Sequence, residues 1–282
     1  MSTGTDAESS ILLEMETEHR ALLTLNRPDR LNTLRFDMWP RMSQLANELD
    51  ANESARVAIL TGKGDRVFSA GLDLAPSKPA AGSGSKKGPR RSAAQKNRQT
   101  AQLIQRTSSH FTAFENLRIP TIAAINGHCL GAGLELALCC DIRLAVRGAT
   151  LGLPEVELGA GVDMGGTVRL MKAIGPGHAK RLLYTAARIP AEEALDIGLV
   201  QALHDTPDEL MSAARELADR IAAQGPLAVQ HCKRSCNHAL NRGLVDDLEF
   251  EAASASDSMI SEDLVEGVGA RREKRDPVFK YR

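Results

Sequence analysis

Short blocks of apolar and polar positions alternate along the first quarter of the chain. Ile11–Met15 and Ala21–Leu25 are apolar runs joined by a polar turn, which predicts a β-hairpin. Asn26-Arg27-Pro28-Asp29 is turn chemistry. From Phe36 to Leu49 the apolar residues recur at helical spacing. Val57–Leu60 reads as a short buried strand, ended by Thr61-Gly62-Lys63-Gly64. A further helix is expected from about Gln95 to Asn116. Then Ile119–Ile125 is an apolar β-type run, Asn126–Gly133 is glycine-rich, Leu134–Cys140 reads as a buried helix, and Ile142–Val146 is β-type again. Strand, glycine turn, helix and strand form the pattern of a parallel crossover unit. Beyond Gly165 helical patterns dominate, punctuated at Gly175-Pro176, Ile189-Pro190 and Gly225-Pro226. No internal sequence repeat is visible.

Composition narrows the class. The length of 282 residues suits one large domain, or a domain with an appended helical part. A net charge of -1 gives no global pull toward nucleic acid or membrane. Five scattered cysteines suggest no disulfide framework and fit a reducing compartment. The polar start MSTGTDAESS (1–10) reads as a disordered tail without the features of a secretion signal. With no apolar run of membrane-spanning length, a cytoplasmic location is expected. Residues 76–98 hold seven Lys/Arg, no acid, and much Pro, Gly and Ser. They are expected to form a basic mobile loop. Attraction of phosphates by that charge is a second reading. Nucleic-acid binding is a third, weakened because the stretch has no aromatic residue to stack bases.

Two stretches place small residues where backbone can approach a ligand: FSAGLDL (68–74) and INGHCLGAGLELALCCD (125–141). A helix starting near Ala132 or Gly133 would present unpaired N–H groups. Two such loops could aim backbone donors at one carbonyl oxygen, as an oxyanion hole does. The segment HCKRSCNH (231–238) invites a metal reading, but His231 and His238 lie on a neighbouring face from Cys232 and Cys236, so no metal is expected. Cys139 and Cys140 are expected to pack in the core, and His128 to be structural or near a substrate.

Five segments together resemble the enoyl-CoA hydratase/isomerase family, the crotonase superfamily. They are LNRPDRLNTL (25–34), FSAGLDL (68–74), IPTIAAINGHCLGAGLELALCCDIRLA (119–145), LGLPEVELGAGVDMGGTVRL (151–170) and TAARIPAEEALDIGLV (185–200). The resemblance runs in order from about Leu23 to the C-terminus. It implies an α/β crotonase (ClpP-like) spiral of ββα units over 11–200, with a C-terminal helical trimerisation region over 201–282. It also implies a homotrimer or dimer of trimers, and an acyl-CoA thioester substrate with no metal or redox cofactor. The oxyanion donors would be the Leu72 and Ala132 N–H groups. Ala70, Gly71, Asp73, Leu74, Gly131 and Gly133 would form the surrounding binding loops. Ala132 stands where many members have glycine, so its methyl is expected to narrow the pocket. Lys280 is placed by the same resemblance near a CoA phosphate of a neighbouring subunit.

The acids discriminate within the family. Glu135 and Glu155 resemble the glutamate pair of hydratases. Glu155 with Asp163 resembles the dienoyl-CoA isomerases, in which an aspartate follows eight residues on. The resemblance to delta(3,5)-delta(2,4)-dienoyl-CoA isomerases is weighted more heavily, because Asp163 adds a proton-transfer group where hydratases commonly have glycine. Enoyl-CoA hydratase is the alternative. A non-catalytic RNA- or protein-binding member is the alternative of another class. Glu157, between the two acids, is expected to be structural.

Overall fold

A computed structural model describes residue 7 and residues 9–74, 92–239 and 261–280. Most of the expected N-terminal tail, and 76–91 of the expected basic loop, lie outside the described residues.

The hairpin is present as β1 (Ile11–Met15) and β2 (Arg20–Leu25), antiparallel, with Ile11 opposite Leu25 and Met15 opposite Ala21. Ala21, Leu23 and Leu25 alternate into the core, as a strand with one buried face requires. Next come α1 (Met38–Ala51), β3 (Val57–Gly62), β4 (Val67–Ser69) and α2 (Ala93–Glu115). The Ser92 hydroxyl and Gln95 side chain cap α2 reciprocally. Trp39 of α1 lies 5.0 Å from Phe111 of α2, ring centre to ring centre, and locks the two helices together.

Strands then alternate between two sheets. β5 (Thr121–Ile125) is followed by β6 (His128–Leu130) and α3 (Ala132–Ala137). β7 (Ile142–Val146) is followed by β8 (Thr150–Gly152) and α4 (Gly166–Thr185). β9 (Arg188–Pro190), α5 (Ala191–Asp196) and β10 (Ala202–His204) complete the sheets. The six-stranded sheet has the order β1-β2-β3-β5-β7-β10 and the four-stranded sheet β4-β6-β8-β9. β1 and β2 both join the six-stranded sheet, whereas the three ββα turns from β3 to α4 each give one strand to each sheet. This is a structural repeat, built from segments that share no visible sequence repeat. β3 and β5 are buried throughout and flanked on both sides by parallel partners, which explains their unbroken apolar runs. β10 lies beyond residue 200, so the sheet continues into the region expected to be helical.

The crossing from one sheet to the other is tight. A Cβ on Gly127, between β5 and β6, would meet the Arg66 carbonyl at 2.1 Å. The buried Asn126 side chain takes the Gly62 N–H and donates to the Gly62 and Gly64 carbonyls, pinning this crossing to the preceding one. On the outer side, α6 (Pro207–Ala222) lays Leu210, Ala214, Ala218 and Ala222 against the six-stranded sheet. Alanine at every fourth position lets helix and sheet approach closely. α7 (Pro226–Ala239) and α8 (Glu262–Glu273) follow. Among the described residues no helix is long and apolar enough to cross a membrane.

Candidate active site

The first loop of the site is FSAGLDL, held in place by LNRPDRLNTL. The Ser69 hydroxyl donates to the Asn32 carbonyl at 2.8 Å, and the Ala70 N–H to the Leu31 carbonyl at 3.0 Å. Leu34 then forms a parallel bridge to Leu72: its N–H donates to the Gly71 carbonyl, and its own carbonyl accepts from the Asp73 N–H. In that pattern the Leu72 N–H is not used and points away from Leu34. Gly71 has φ 94, and a Cβ there would come within 2.9 Å of the Leu130 carbonyl. A side chain at 71 is therefore excluded both by conformation and by the second loop.

That second loop runs from β6 into α3. Gly131 caps the helix at φ 52, and its N–H donates to the Gly152 carbonyl of β8 at 2.9 Å. Ala132 is the first helical residue, so its N–H has no acceptor within the helix. The site of a Cβ on Gly131 lies 3.0 Å from Glu155 Oε1 and 3.7 Å from Gly71 Cα. One small volume thus brings together both glycine loops and the Glu155 carboxyl.

Four carboxyls line one cavity of about 460 Å3: Glu135, Glu155, Glu157 and Asp163. Glu135, on α3, is buried, and its Oε1 accepts the backbone N–H groups of Met164 (3.2 Å) and Gly166 (3.3 Å). It therefore grips the turn that carries Asp163. Burial, then the nearby Glu155 and Asp163, push the Glu135 carboxyl up to about 8. Glu155 opens a 3-10 turn, Glu155–Leu158, and its Oε2 is buried without a hydrogen-bond partner. Burial raises the Glu155 carboxyl, opposed by its own backbone N–H, with Asp163 adding a smaller upward push. Asp163 is raised chiefly by burial, against the backbone N–H groups of Asp163 and Met164. It lines the cavity while remaining open to solvent.

The remaining expected residues divide between cavity and scaffold. Ala70, Gly71, Leu72, Leu74, Gly131 and Ala132 line the cavity. Asp73 and Gly133 are not in its lining. Asp73 forms an ion pair with Arg27 at 2.8 Å, which ties the two loop motifs together. A Cβ on Gly133 would sit 2.6 Å from that of Ser69, so this glycine lets α3 pack on β4. His128 accepts the Thr150 N–H through Nδ1 at 3.1 Å. Cys139 and Cys140 are buried in the core, while Cys232 and Cys236 are free and exposed. Among the described residues no group of three or more His, Cys, Asp or Glu side chains could hold a metal ion. The Lys280 backbone N–H donates to Asp263 at 2.7 Å.

Sequence reasoning missed part of the lining. Thr100, Leu103, Ile104 and Thr107 of α2 supply one wall at helical spacing, and Phe36, Leu158 and Arg188 supply parts of the rim. The α2 stripe was readable as a helix face, but nothing in the spacing said which cavity it would meet.

Comparison with known proteins identifies the family and the fold. The enoyl-CoA hydratase/isomerase family profile matches residues 17–282. The chain is 41% identical over 272 residues to YngF of Bacillus subtilis (strain 168), which carries that family's name, covering 96% of this chain and 98% of that one. It is 36% identical to the crotonyl-CoA hydratase of Syntrophomonas wolfei, covering 97% and 98% of the two chains. It is 34% identical to the peroxisomal Delta(3,5)-Delta(2,4)-dienoyl-CoA isomerase of Arabidopsis thaliana, covering 91% of each. The crystal structure of an enoyl-CoA hydratase from Bacillus anthracis superposes with a TM-score of 0.84 at 35% identity, over 97% of this chain and 100% of that one. The chain belongs to the enoyl-CoA hydratase/isomerase family and has the crotonase fold.

Proposed function

We propose that the protein is an acyl-CoA enzyme that isomerises 3,5-dienoyl-CoA to 2,4-dienoyl-CoA. The observation that carries this reading is the placement of Asp163 in the same cavity as Glu155, beside the loops that present the Leu72 and Ala132 N–H groups. Those two donors would hold the thioester oxygen and stabilise the enolate that forms when C2 loses a proton. Glu155 would take that proton. Its unpartnered Oε2 has an acceptor to offer and no protein donor to give up. The negative charge then spreads along the conjugated chain, and Asp163 would return a proton at C6. The double bonds end at C2 and C4, with Glu155 protonated and Asp163 ionised. Transfer of one proton from the first to the second restores the starting state.

Such a shuttle needs one acid ionised and the other protonated near neutral pH. Burial that raises both carboxyls brings them toward that range. Glu135 would hold the Asp163 turn through the Met164 and Gly166 N–H groups. Neither a metal nor a redox cofactor enters this scheme. We read the assembly as a homotrimer or dimer of trimers, on the resemblance to the family, which light scattering on the purified protein would test.

A second reading is hydration of a 2-enoyl-CoA, with Glu135 and Glu155 orienting one water. It is favoured by Glu135 lining the cavity and by the identity to the crotonyl-CoA hydratase. Purified protein given 3,5-octadienoyl-CoA should increase conjugated-diene absorbance. Consumption of crotonyl-CoA alone would replace the isomerase reading with hydration, and activity on neither would remove both. Asp163→Asn should abolish diene formation while leaving the fold intact by circular dichroism. Full isomerase activity in that variant would take Asp163 out of the mechanism.

A further inference from the structure

We propose that Arg188, through its paired contact with Glu157, is a positioning residue that sets the aim of Glu155. The inference rests on reading Glu155 as the base.

The turn that carries Glu155 has little else to hold it. None of the residues in Glu155–Leu158 is buried, and Val156 and Leu158 are exposed apolar side chains. Its backbone hydrogen bonds are local: Glu157 N–H to Pro154, Gly159 N–H to Val156 and Ala160 N–H to Glu155. A single 3-10 turn with such bonds is weak by itself. Gly159, in the left-handed region, and Gly161 follow at once and add no packing.

Among the described residues, the side-chain hydrogen bonds that leave this turn for another element run to Arg188. They are bidentate: Arg188 Nη1 donates to Glu157 Oε1 at 2.7 Å and Nη2 to Oε2 at 2.6 Å. The planar fork fixes direction as well as distance. Arg188 stands on β9, directly opposite Gly152 of β8, and the Gly152 carbonyl accepts the Gly131 N–H of the oxyanion loop. One strand register therefore references both the Glu157 tether and the proposed Ala132 donor.

Glu155 has no independent anchor at Oε2, which is buried and unpartnered. Its aim is inherited from the backbone of the turn. An error of about 1 Å in the position of a reacting group can cost on the order of 100-fold in rate. A partly exposed ion pair adds little to global stability, so a tether of this kind acts on geometry while leaving the melting temperature nearly unchanged.

The test uses the full chain with Arg188→Met, Glu157→Gln and the charge exchange E157R/R188E, against 3,5-octadienoyl-CoA and crotonyl-CoA. Arg188→Met should lower kcat by roughly 10- to 100-fold with KM little changed. The charge exchange should recover most of that loss. Amide hydrogen exchange in 157–160 should quicken in Arg188→Met while the remainder of the four-stranded sheet is unaffected. Wild-type kcat and wild-type exchange in Arg188→Met would overturn the proposal. So would a loss seen mainly in KM and not recovered by the charge exchange, since Arg188 would then touch substrate itself. Glu155→Gln is assayed beside them. If it keeps full activity, the reading of Glu155 as base has failed, and amide exchange still reports whether the tether exists.

Discussion

The glycine loop with its helix, 129–140, and the acid-bearing stretch 153–166 face each other across the same cavity, yet they are built differently. Nearly all of the first is buried: Cys129, Ala132, Leu134, Glu135, Leu136 and Ala137 are each no more than 3% exposed. Its position is set by packing and by a carbonyl of the neighbouring strand. The second is exposed from Val156 to Gly161 and is held at separate points: the ion pair at Glu157, the two N–H bonds to Glu135, and the bonds that Ser108 and Arg169 donate to the Asp163 and Met164 carbonyls. In the proposed reaction the Ala132 N–H, a donor that would wait rigidly for a developing charge, sits on the packed side. The carboxyls proposed to exchange protons, Glu155 and Asp163, sit on the tethered side.

The hardest break of this comparison is Glu155→Gln. Removing a positioned general base costs about 100- to 10,000-fold in rate. The loss should appear in kcat with both thioesters, while circular dichroism and the melting temperature stay close to wild type. Activity within a few-fold of wild type would mean that the tethered side does not supply the base.

Glu135 sharpens the contrast, because it belongs to the packed side and reaches the tethered one. Its folded-state carboxyl holds a proton up to about pH 8, against an ordinary value of 4.5. Between those values the folded chain binds a proton that the unfolded chain has released. Stability from this group is therefore complete below about pH 4.5 and is lost as pH rises through about 8. Glu135→Gln has no such proton and still offers an oxygen to Met164 and Gly166. Its melting temperature relative to wild type should rise steadily from pH 5 to pH 8.5. A difference that is flat across this range would show that Glu135 is ionised throughout and that its two N–H bonds outweigh burial.

How much of this was legible beforehand follows the same division. The hairpin, the strand Ile142–Val146 and the glycine loops could be read because each carries a period or a run long enough to recognise. β4, β6, β8, β9 and β10 have three residues apiece, too few for any periodicity, and β6 lies inside the glycine-rich stretch Asn126–Gly133. The ββα repeat was therefore invisible as sequence and came only from the family resemblance. The segment LNRPDRLNTL was visible as a motif, but its task of gripping FSAGLDL depends on backbone hydrogen bonds that residue types do not announce. Arg188 pairs with a residue 31 positions away, through a register that only the folded sheet defines.

The mildest test compares two glycines, one on each side. Gly71 has φ 94, and a Cβ there would stand 2.9 Å from the Leu130 carbonyl and 3.4 Å from the Ala132 nitrogen. Alanine at 71 must push the Leu130 carbonyl away and also accept left-handed strain of about 1–2 kcal/mol. It should lower both kcat and the melting temperature, because the strained contact is with the donor loop itself. Gly161 lies in the tethered stretch, outside the left-handed region, and a Cβ there meets nothing within 4 Å. Alanine at 161 narrows the unfolded ensemble without a native clash, so it should stabilise by roughly 0.4–1 kcal/mol. Its effect on kcat separates two ideas of the tethered side. If kcat is unchanged, the Glu157–Arg188 pair and the Glu135 bonds already define the acids' positions. If kcat falls while stability rises, the stretch must flex in each turnover, and Gly161 is where it does so.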